Sequence, residues 1–354
     1  MGFIPISMDE APIDWDSLTF SLTQTDFMYI ATCDLGGVWK PGKVLPYGKL
    51  EIDPAAGVLN YGQGIFEGMK AHRSIQGNVV LFRPEENARR FQRGADRLGM
   101  PPVPESIFID AVEQMVAANN RWIPPTGRGA LYIRPVLWGT GAIMGVAPAP
   151  SYTLCVFVTP VGPYFKGGLS CIDLLISDEY HRAAPGGSGG VKAIGNYAPG
   201  MMPSINAKKQ GYAEVIYLDA EEHLYVEEVG AANFFCVKDN IVYTPELTGT
   251  ILPGITRSSI IEIARHRGYE VVVEKVSAEF AMSADEAFCC GTAAVISPIG
   301  SITHGDSEKI YQDRAVGTVT RELYDCLVGI HTEAEDDTFG WMHRVDLEMN
   351  LDRA

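Results

Sequence analysis

The residue best placed to do chemistry is Lys192, in the stretch GGSGGVKAIGNYA from Gly186 to Ala198. Five glycines and a serine surround this one lysine among nearly uncharged neighbours. Two readings are open for such a lysine. Most lysines keep the ammonium in water, whereas an amine set among apolar neighbours reaches its neutral form and can add to a carbonyl. The flanking glycines favour the second reading, because they let the backbone approach a flat ligand. The aldehyde that a protein lysine most often holds is pyridoxal phosphate. It demands a carboxylate for the pyridine nitrogen, an anion site for the phosphate, and a phenol or similar group near the ring oxygen.

Candidates for all three lie along the chain. In YVEEVGAANFF, Glu227 and Glu228 stand at a strand-to-turn junction before Gly230. A carboxylate turned into that apolar surface requires a cationic partner, which a pyridinium supplies. LPGITRSSIIEIARHRG runs from a Pro-Gly turn into an amphipathic helix. The amides of Ile255, Thr256 and Arg257 therefore face outward at a helix N-terminus, where an anion is favoured; read alone, the stretch is more readily an ordinary capped helix. CCGTAAVISP presents amides around Gly291, Thr292 and Ala293, or is simply a tight turn before a buried strand. Tyr197 is the candidate phenol, with plain packing at a helix start as its alternative.

The elements that must position these groups are legible from periodicity. Pro84 suits a first helical turn, and Ala88, Phe91, Ala95 and Leu98 recur at spacings of three and four before Gly99. Ala130–Leu137 and Tyr152–Val161 are short, apolar and rich in β-branched residues, hence buried strands. Further on, Ala213–Asp219 reads as a strand, Asn233–Lys238 and Ile241–Tyr243 as a hairpin about Asp239-Asn240, Arg257–Arg267 as a helix and Tyr269–Glu274 as a strand. Dense glycine between Gly162 and Gly190 marks a domain junction. The expected organisation is a smaller α/β domain over 1–163, a linker over 164–175 and a larger α/β domain over 176–354.

Composition bounds the rest. The 354 residues carry 28 Lys+Arg against 44 Asp+Glu, a formal balance of −16. That argues against a nucleic-acid binder resting on a broad basic face. At 46% hydrophobic and 20% charged the chain is globular in composition rather than disordered. No apolar run reaches the roughly 18 residues of a membrane span, since residues 130–150 are broken by Arg134 and by glycines. The opening MGFIPISMDEAPIDW has neither an apolar h-region nor arginines, and the seven cysteines form no CxxC pair. Both observations make the cytoplasm the expected compartment, and no metal site is expected.

Together with YGQGIFEGMKA (61–71), LFRPEENARRF (81–91) and LYIRPVLWGTG (131–141), these segments resemble the branched-chain amino-acid aminotransferases. That family belongs to the fold-type IV pyridoxal-phosphate enzymes. The resemblance extends from about Asp14 to about Trp341, and the TDFMYI opening, NNRWIPPTGRG and the late GW look most like the plant-type branch. It implies the mixed α/β, two-domain fold of D-amino-acid aminotransferase, with the cofactor site at the domain interface. It implies that Lys192 holds the cofactor aldehyde and shuttles the proton between substrate Cα and cofactor C4′. Glu228 would keep the pyridine nitrogen protonated, with Glu227 its solvent-side neighbour, and Tyr197 would donate to the ring oxygen.

Arg90 would clamp the phosphate, with Ile255, Thr256 and Thr292 completing the cradle, while Arg89 and Arg83 are surface or structural. On the substrate side, Tyr61, Phe66 and Tyr132 resemble apolar pocket walls, with Tyr164 at a further pocket position. Arg134 resembles the arginine that meets the second carboxylate of glutamate, and the amides of Thr292 and Ala293 would take the α-carboxylate. The loop MGVAPAP (144–150) resembles one that reaches the active site of a partner subunit, so a homodimer is implied. Two departures stand out: Ala231 replaces the threonine of some relatives, and Ala294-Val295-Ile296-Ser297 leaves no redox CxxC. The implied reaction is transfer of the amino group of leucine, isoleucine, valine or methionine to 2-oxoglutarate. A D-amino-acid or (R)-amine aminotransferase, or an aminodeoxychorismate lyase, is the alternative on the same fold.

Overall fold

The computed structural model describes residues 11–163 and 168–349. They fall into two compact units, one made of residues 11–163 and 329–349 and the other of 168–328.

The first unit is built on an 8-stranded sheet, in the order Met342–Arg344, Val79–Phe82, Met69–Arg73, Ala130–Gly139, Ser151–Val161, Phe27–Asp34, Lys43–Pro46, with Gly64–Phe66 also paired to Ala130–Gly139. All its pairings are antiparallel. Two helices cover one face. Pro84–Arg97 starts on Pro84, carries Glu85 and Glu86 in its first turn and buries Ala88, Phe91 and Ala95; Gly99 at φ 64 stops it. Glu105–Ala118 buries Phe108, Ala111, Val112 and Met115 against the same core. Each such fully buried large side chain contributes about 1.5–3 kcal/mol. Asn119 fastens the end of this helix to the sheet, because its Oδ1 accepts from the amides of Asp26 (3.1 Å) and Phe27 (3.0 Å).

Two boundaries differ from the sequence expectation. Residues 342–344 pair with Val79–Phe82 instead of joining the second domain. They satisfy the outer backbone groups of that strand, and Trp341 is buried beneath Phe82 and the Arg83 guanidinium. The expected linker over 164–175 is also too long, since Ile172–Ser177 is already a strand of the second unit.

That unit holds a 9-stranded sheet whose path closes on itself. Val226–Val229, Glu214–Leu218, Ile172–Ser177, Val295–His304, Glu286–Gly291 and Ala232–Lys238 run in order, and the last pairs back to the first. Ile241–Thr244 and Val271–Val273 extend it outward, and Ser307–Ile310 pairs with Val295–His304 off this path. The hairpin at Asp239-Asn240 has both residues at positive φ (51 and 63), as a two-residue turn between twisted strands requires. Among the described residues no helix is long and apolar enough to cross a membrane, and no group of three or more His, Cys, Asp or Glu is arranged to hold a metal ion.

Candidate active site

In the second unit the Lys192 loop is held by its own polar residues. Asn196 donates from Nδ2 to the carbonyls of Ser188 (2.7 Å) and Val191 (2.9 Å), and Ser188 Oγ bonds Asn196 Oδ1 at 2.6 Å. Two of the glycines serve a purpose other than the expected approach to a ligand. A Cβ on Gly189 would lie 2.2 Å from the Thr250 carbonyl oxygen, and one on Gly190 would lie 2.9 Å from that of Gly249. They let the loop lie backbone to backbone on residues 249–250. Lys192 emerges half-buried, with Nζ 3.1 Å from Tyr197 Oη and 5.5 Å from the centre of the Tyr197 ring.

Glu228 is 1% exposed. Its Oε1 accepts from Asn233 Nδ2 at 3.0 Å, while Arg182 Nε, on a side chain 6% exposed, lies 2.7 Å from Oε2. That N–H is not aligned on the oxygen, so Oε2 remains a buried acceptor without a well-directed donor. Burial pushes the Glu228 carboxyl up to about 7, against the downward pull of Arg182 and Lys192. Arg182 also donates from Nη1 to the Thr250 carbonyl at 2.9 Å, tying the carboxylate to the segment on which the lysine loop rests. Sequence reasoning missed this arginine; the only signal is a cation just ahead of a glycine-rich tract.

Glu227, expected on the solvent side, is 5% exposed and accepts from the Thr250 hydroxyl. Strand alternation is broken here by a register shift between Val226 and Glu228, which turns both carboxylates inward.

Asn233 links the carboxylate to the candidate phosphate cradle. Its Nδ2 also donates to the Leu252 carbonyl (2.9 Å), and a Cβ on Gly254 would lie 2.0 Å from its Oδ1. Gly254 caps the helix Ile255–His266, whose first amides, on Ile255 and Thr256, have no carbonyl one turn earlier to accept them. Across the sheet Asn233 pairs with Cys290, one strand end from the turn of Thr292 and Ala293. Val295, which closes that turn opposite Gly291, sits at φ 65. This is a strained conformation for a β-branched residue, of order 1–3 kcal/mol, and it fixes the orientation of the turn amides.

In the first unit, Arg134 Nη2 donates to Tyr132 Oη at 3.0 Å, and its guanidinium lies 4.6 Å over the Phe66 ring. Its Nε is buried without a partner, leaving a donor for an anion beside an aromatic wall. A Cβ on Gly68 would lie 2.0 Å from Tyr132 Oη, so glycine is required there. Tyr61 bonds the Met144 carbonyl and thereby holds the 144–150 loop. Arg90, expected as a phosphate clamp, grips Glu67 with Nε–Oε1 at 2.7 Å and Nη2–Oε2 at 2.8 Å. Asn87 Nδ2 adds a third donor to Glu67 at 2.7 Å. Arg89 meets Glu86 and Glu105 at the surface, and Arg83 covers Trp341. Tyr164 lies outside the described residues.

The donors and acceptors of the second unit fit pyridoxal phosphate. A buried, under-satisfied Glu228 Oε2 suits a pyridinium N–H, Tyr197 suits a ring oxygen, and the open amides of a helix start suit a phosphate. The family model for amino-transferase class IV matches residues 64–302. The chain is a class IV aminotransferase. This aminotransferase is 51% identical to branched-chain-amino-acid aminotransferase 5, chloroplastic, of Arabidopsis thaliana, over 94% of this chain and 80% of that protein. It is 43% identical to methionine aminotransferase BCAT4 of the same organism, over 97% of each. Among solved structures, the T.th. branched-chain amino acid aminotransferase with pyridoxamine 5'-phosphate is 27% identical, covering 92% of this aminotransferase and 100% of that chain with a TM-score of 0.78.

Proposed function

We propose that the protein is a pyridoxal-phosphate-dependent branched-chain L-amino-acid aminotransferase, moving the amino group of leucine, isoleucine, valine or methionine to 2-oxoglutarate. The observation that carries this is the buried Glu228, bracketed by Arg182 and Asn233 and within electrostatic reach of Lys192. The relatives at about half identity support the substrate class.

When bound, the cofactor supplies an aldehyde for the substrate amine and a ring that accepts the electrons left at Cα. Glu228 Oε2 would accept a hydrogen bond from the pyridinium N–H and so keep the proton on the ring, because Arg182 and Lys192 favour the ionised carboxylate. Tyr197 orients Lys192 Nζ and donates toward the ring oxygen. Lys192 Nζ would move the substrate Cα proton, one amine serving as base and then as acid. The amides of Ile255 and Thr256 and the Thr292 hydroxyl would hold the phosphate. Thr292 and Ala293 hold the substrate α-carboxylate.

Tyr61, Phe66 and Tyr132 form the walls for an apolar side chain. Arg134 meets the second carboxylate only when the acidic substrate is present. This explains how one pocket takes both leucine and glutamate.

The loop with Met144 (84% exposed) and Val146 (89% exposed) supports a homodimer in which a second copy covers these side chains; light scattering after gel filtration reads that directly. The cytosolic placement expected from the sequence stands beside a relative named chloroplastic, and imaging of the tagged chain separates the two compartments.

The test is a panel of L-leucine, L-isoleucine, L-valine, L-methionine and D-alanine with 2-oxoglutarate. Glutamate formed from the L-amino acids and not from D-alanine supports the reading. Turnover of D-alanine alone, or pyruvate released without an amino acceptor, moves the chain to one of the two alternatives.

A further inference from the structure

The first unit packs together two imidazoles that amino transfer does not use. His72, on the strand Met69–Arg73, and His331, in the 329–349 segment, stack with ring centres 5.4 Å apart and planes 18° from parallel. Phe82 meets His331 edge-on at 4.4 Å and Trp341 at 5.6 Å. His331 is 8% exposed, and its Nε2 is buried without a hydrogen-bond partner. Such a nitrogen is tolerated as the lone pair of a neutral ring, whereas a charged N–H there is both desolvated and unpaired.

The surroundings offer no relief for a charged pair. Among the described residues no carboxylate acts on either ring, and the cation that acts on both is Lys70, on the same face of the strand as His72. On the edge strand Met342–Arg344, Arg344 is engaged by Glu333 at 2.8 Å. His343 lies between Glu85 and Glu113 but pairs with Leu81, so it projects from the opposite face of the sheet. Burial and the Lys70 charge hold the His72 ring down to about 3, and burial with the charges of His72 and Lys70 holds His331 well below its ordinary value.

We propose that the His72–His331 stack is an acid-operated latch, closed while both rings are neutral and released on protonation, which frees the 329–349 segment from the strands Met69–Arg73 and Val79–Phe82. Because His331 Nε2 is buried, it takes up a proton only when the segment lifts, and the charged ring then holds the segment open. In the open segment each ring returns to about 6.5. The latch is therefore at full strength above that pH and weakens as pH falls below it, by up to about tenfold per pH unit for each ring. Lys70 stands opposite Tyr132 in the neighbouring strand, so loosening extends to the strand that carries Arg134. The latch does not depend on what Arg134 binds.

The test is hydrogen-exchange mass spectrometry of the enzyme loaded with pyridoxal phosphate at pH 7.5 and 5.0, corrected for intrinsic exchange. Opening in peptides covering 69–82 and 329–345 should rise about tenfold or more at pH 5.0, and the double variant His72→Phe, His331→Phe should lose that rise. No such rise in the wild type, or the same rise in the double variant, overturns the proposal. Should the double variant fail to fold, deuterium uptake at imidazole Cε1 in the wild type reads the titration of each ring. Midpoints below about 5.5 for both rings support the latch; a midpoint at or above that value for either overturns it.

Discussion

Among the described residues each unit buries one arginine–glutamate ion pair, and the two are built to different ends. In the first, Arg90 and Glu67 meet through two aligned hydrogen bonds, and Asn87 takes up a further share of the carboxylate. In the second, Arg182 approaches Glu228 closely but off line, and burial leaves the carboxyl near neutral pH in its ionisation. A saturated pair acts as a strut, whereas an under-satisfied one is ready for a further donor. The difference separates a carboxylate that holds the fold from one that holds a ligand, although both are equally buried.

The largest effect should come from breaking the strut. Glu67→Gln leaves Arg90 buried without its counter-charge and should lower the unfolding free energy by about 3–5 kcal/mol, read by urea denaturation. A change below about 1 kcal/mol would erase the distinction. Glu228→Gln should instead leave a folded protein whose kcat falls about 10²–10³-fold, because a neutral amide no longer holds the pyridinium proton. If its main defect were stability, Glu228 would be a second strut.

The cofactor-free protein should also show the contrast in its pH dependence. Glu228 binds its proton more tightly when folded (about 7) than at the ordinary value of 4.5. The folded state is therefore favoured at the acid end, and this contribution is lost as pH rises from about 4.5 through 7. The loss is up to about 3 kcal/mol, and Glu228→Gln should flatten it. The smallest effect is on selectivity. Arg134→Gln should weaken glutamate and 2-oxoglutarate by about 10–100-fold while changing leucine by less than about threefold, the size of one charged hydrogen bond. Equal losses for both would make Arg134 part of the wall alone.

Much of the fold was legible because local rules and tertiary context agree. The Pro84 start and Gly99 stop, the alternation that sets Asp239-Asn240 as a turn, and the Pro-Gly entry to the Ile255 helix are all enforced by backbone sterics. Lys192 and Tyr197, which lie 3.1 Å apart, stand out by residue type, whereas Glu228 was chosen over Glu227 by the family resemblance alone. What escaped depends on contacts distant in sequence. No periodicity tells that Arg182 reaches Glu228, that Gly189 packs on Thr250, or that residues 342–344 complete a sheet edge from the other end of the chain. Glu227 was misplaced because the register shift beside it breaks the alternation on which a solvent-side reading relies.

Amino transfer by this protein requires Lys192 to be the amine that holds the cofactor. Borohydride reduction of the enzyme loaded with pyridoxal phosphate, followed by peptide mass spectrometry, reads this directly. The predicted result is a phosphopyridoxyl group on the peptide containing Lys192, absent in Lys192→Ala, which should also lose about 10³-fold or more of turnover. A label on a different lysine, or full turnover by Lys192→Ala, would contradict it.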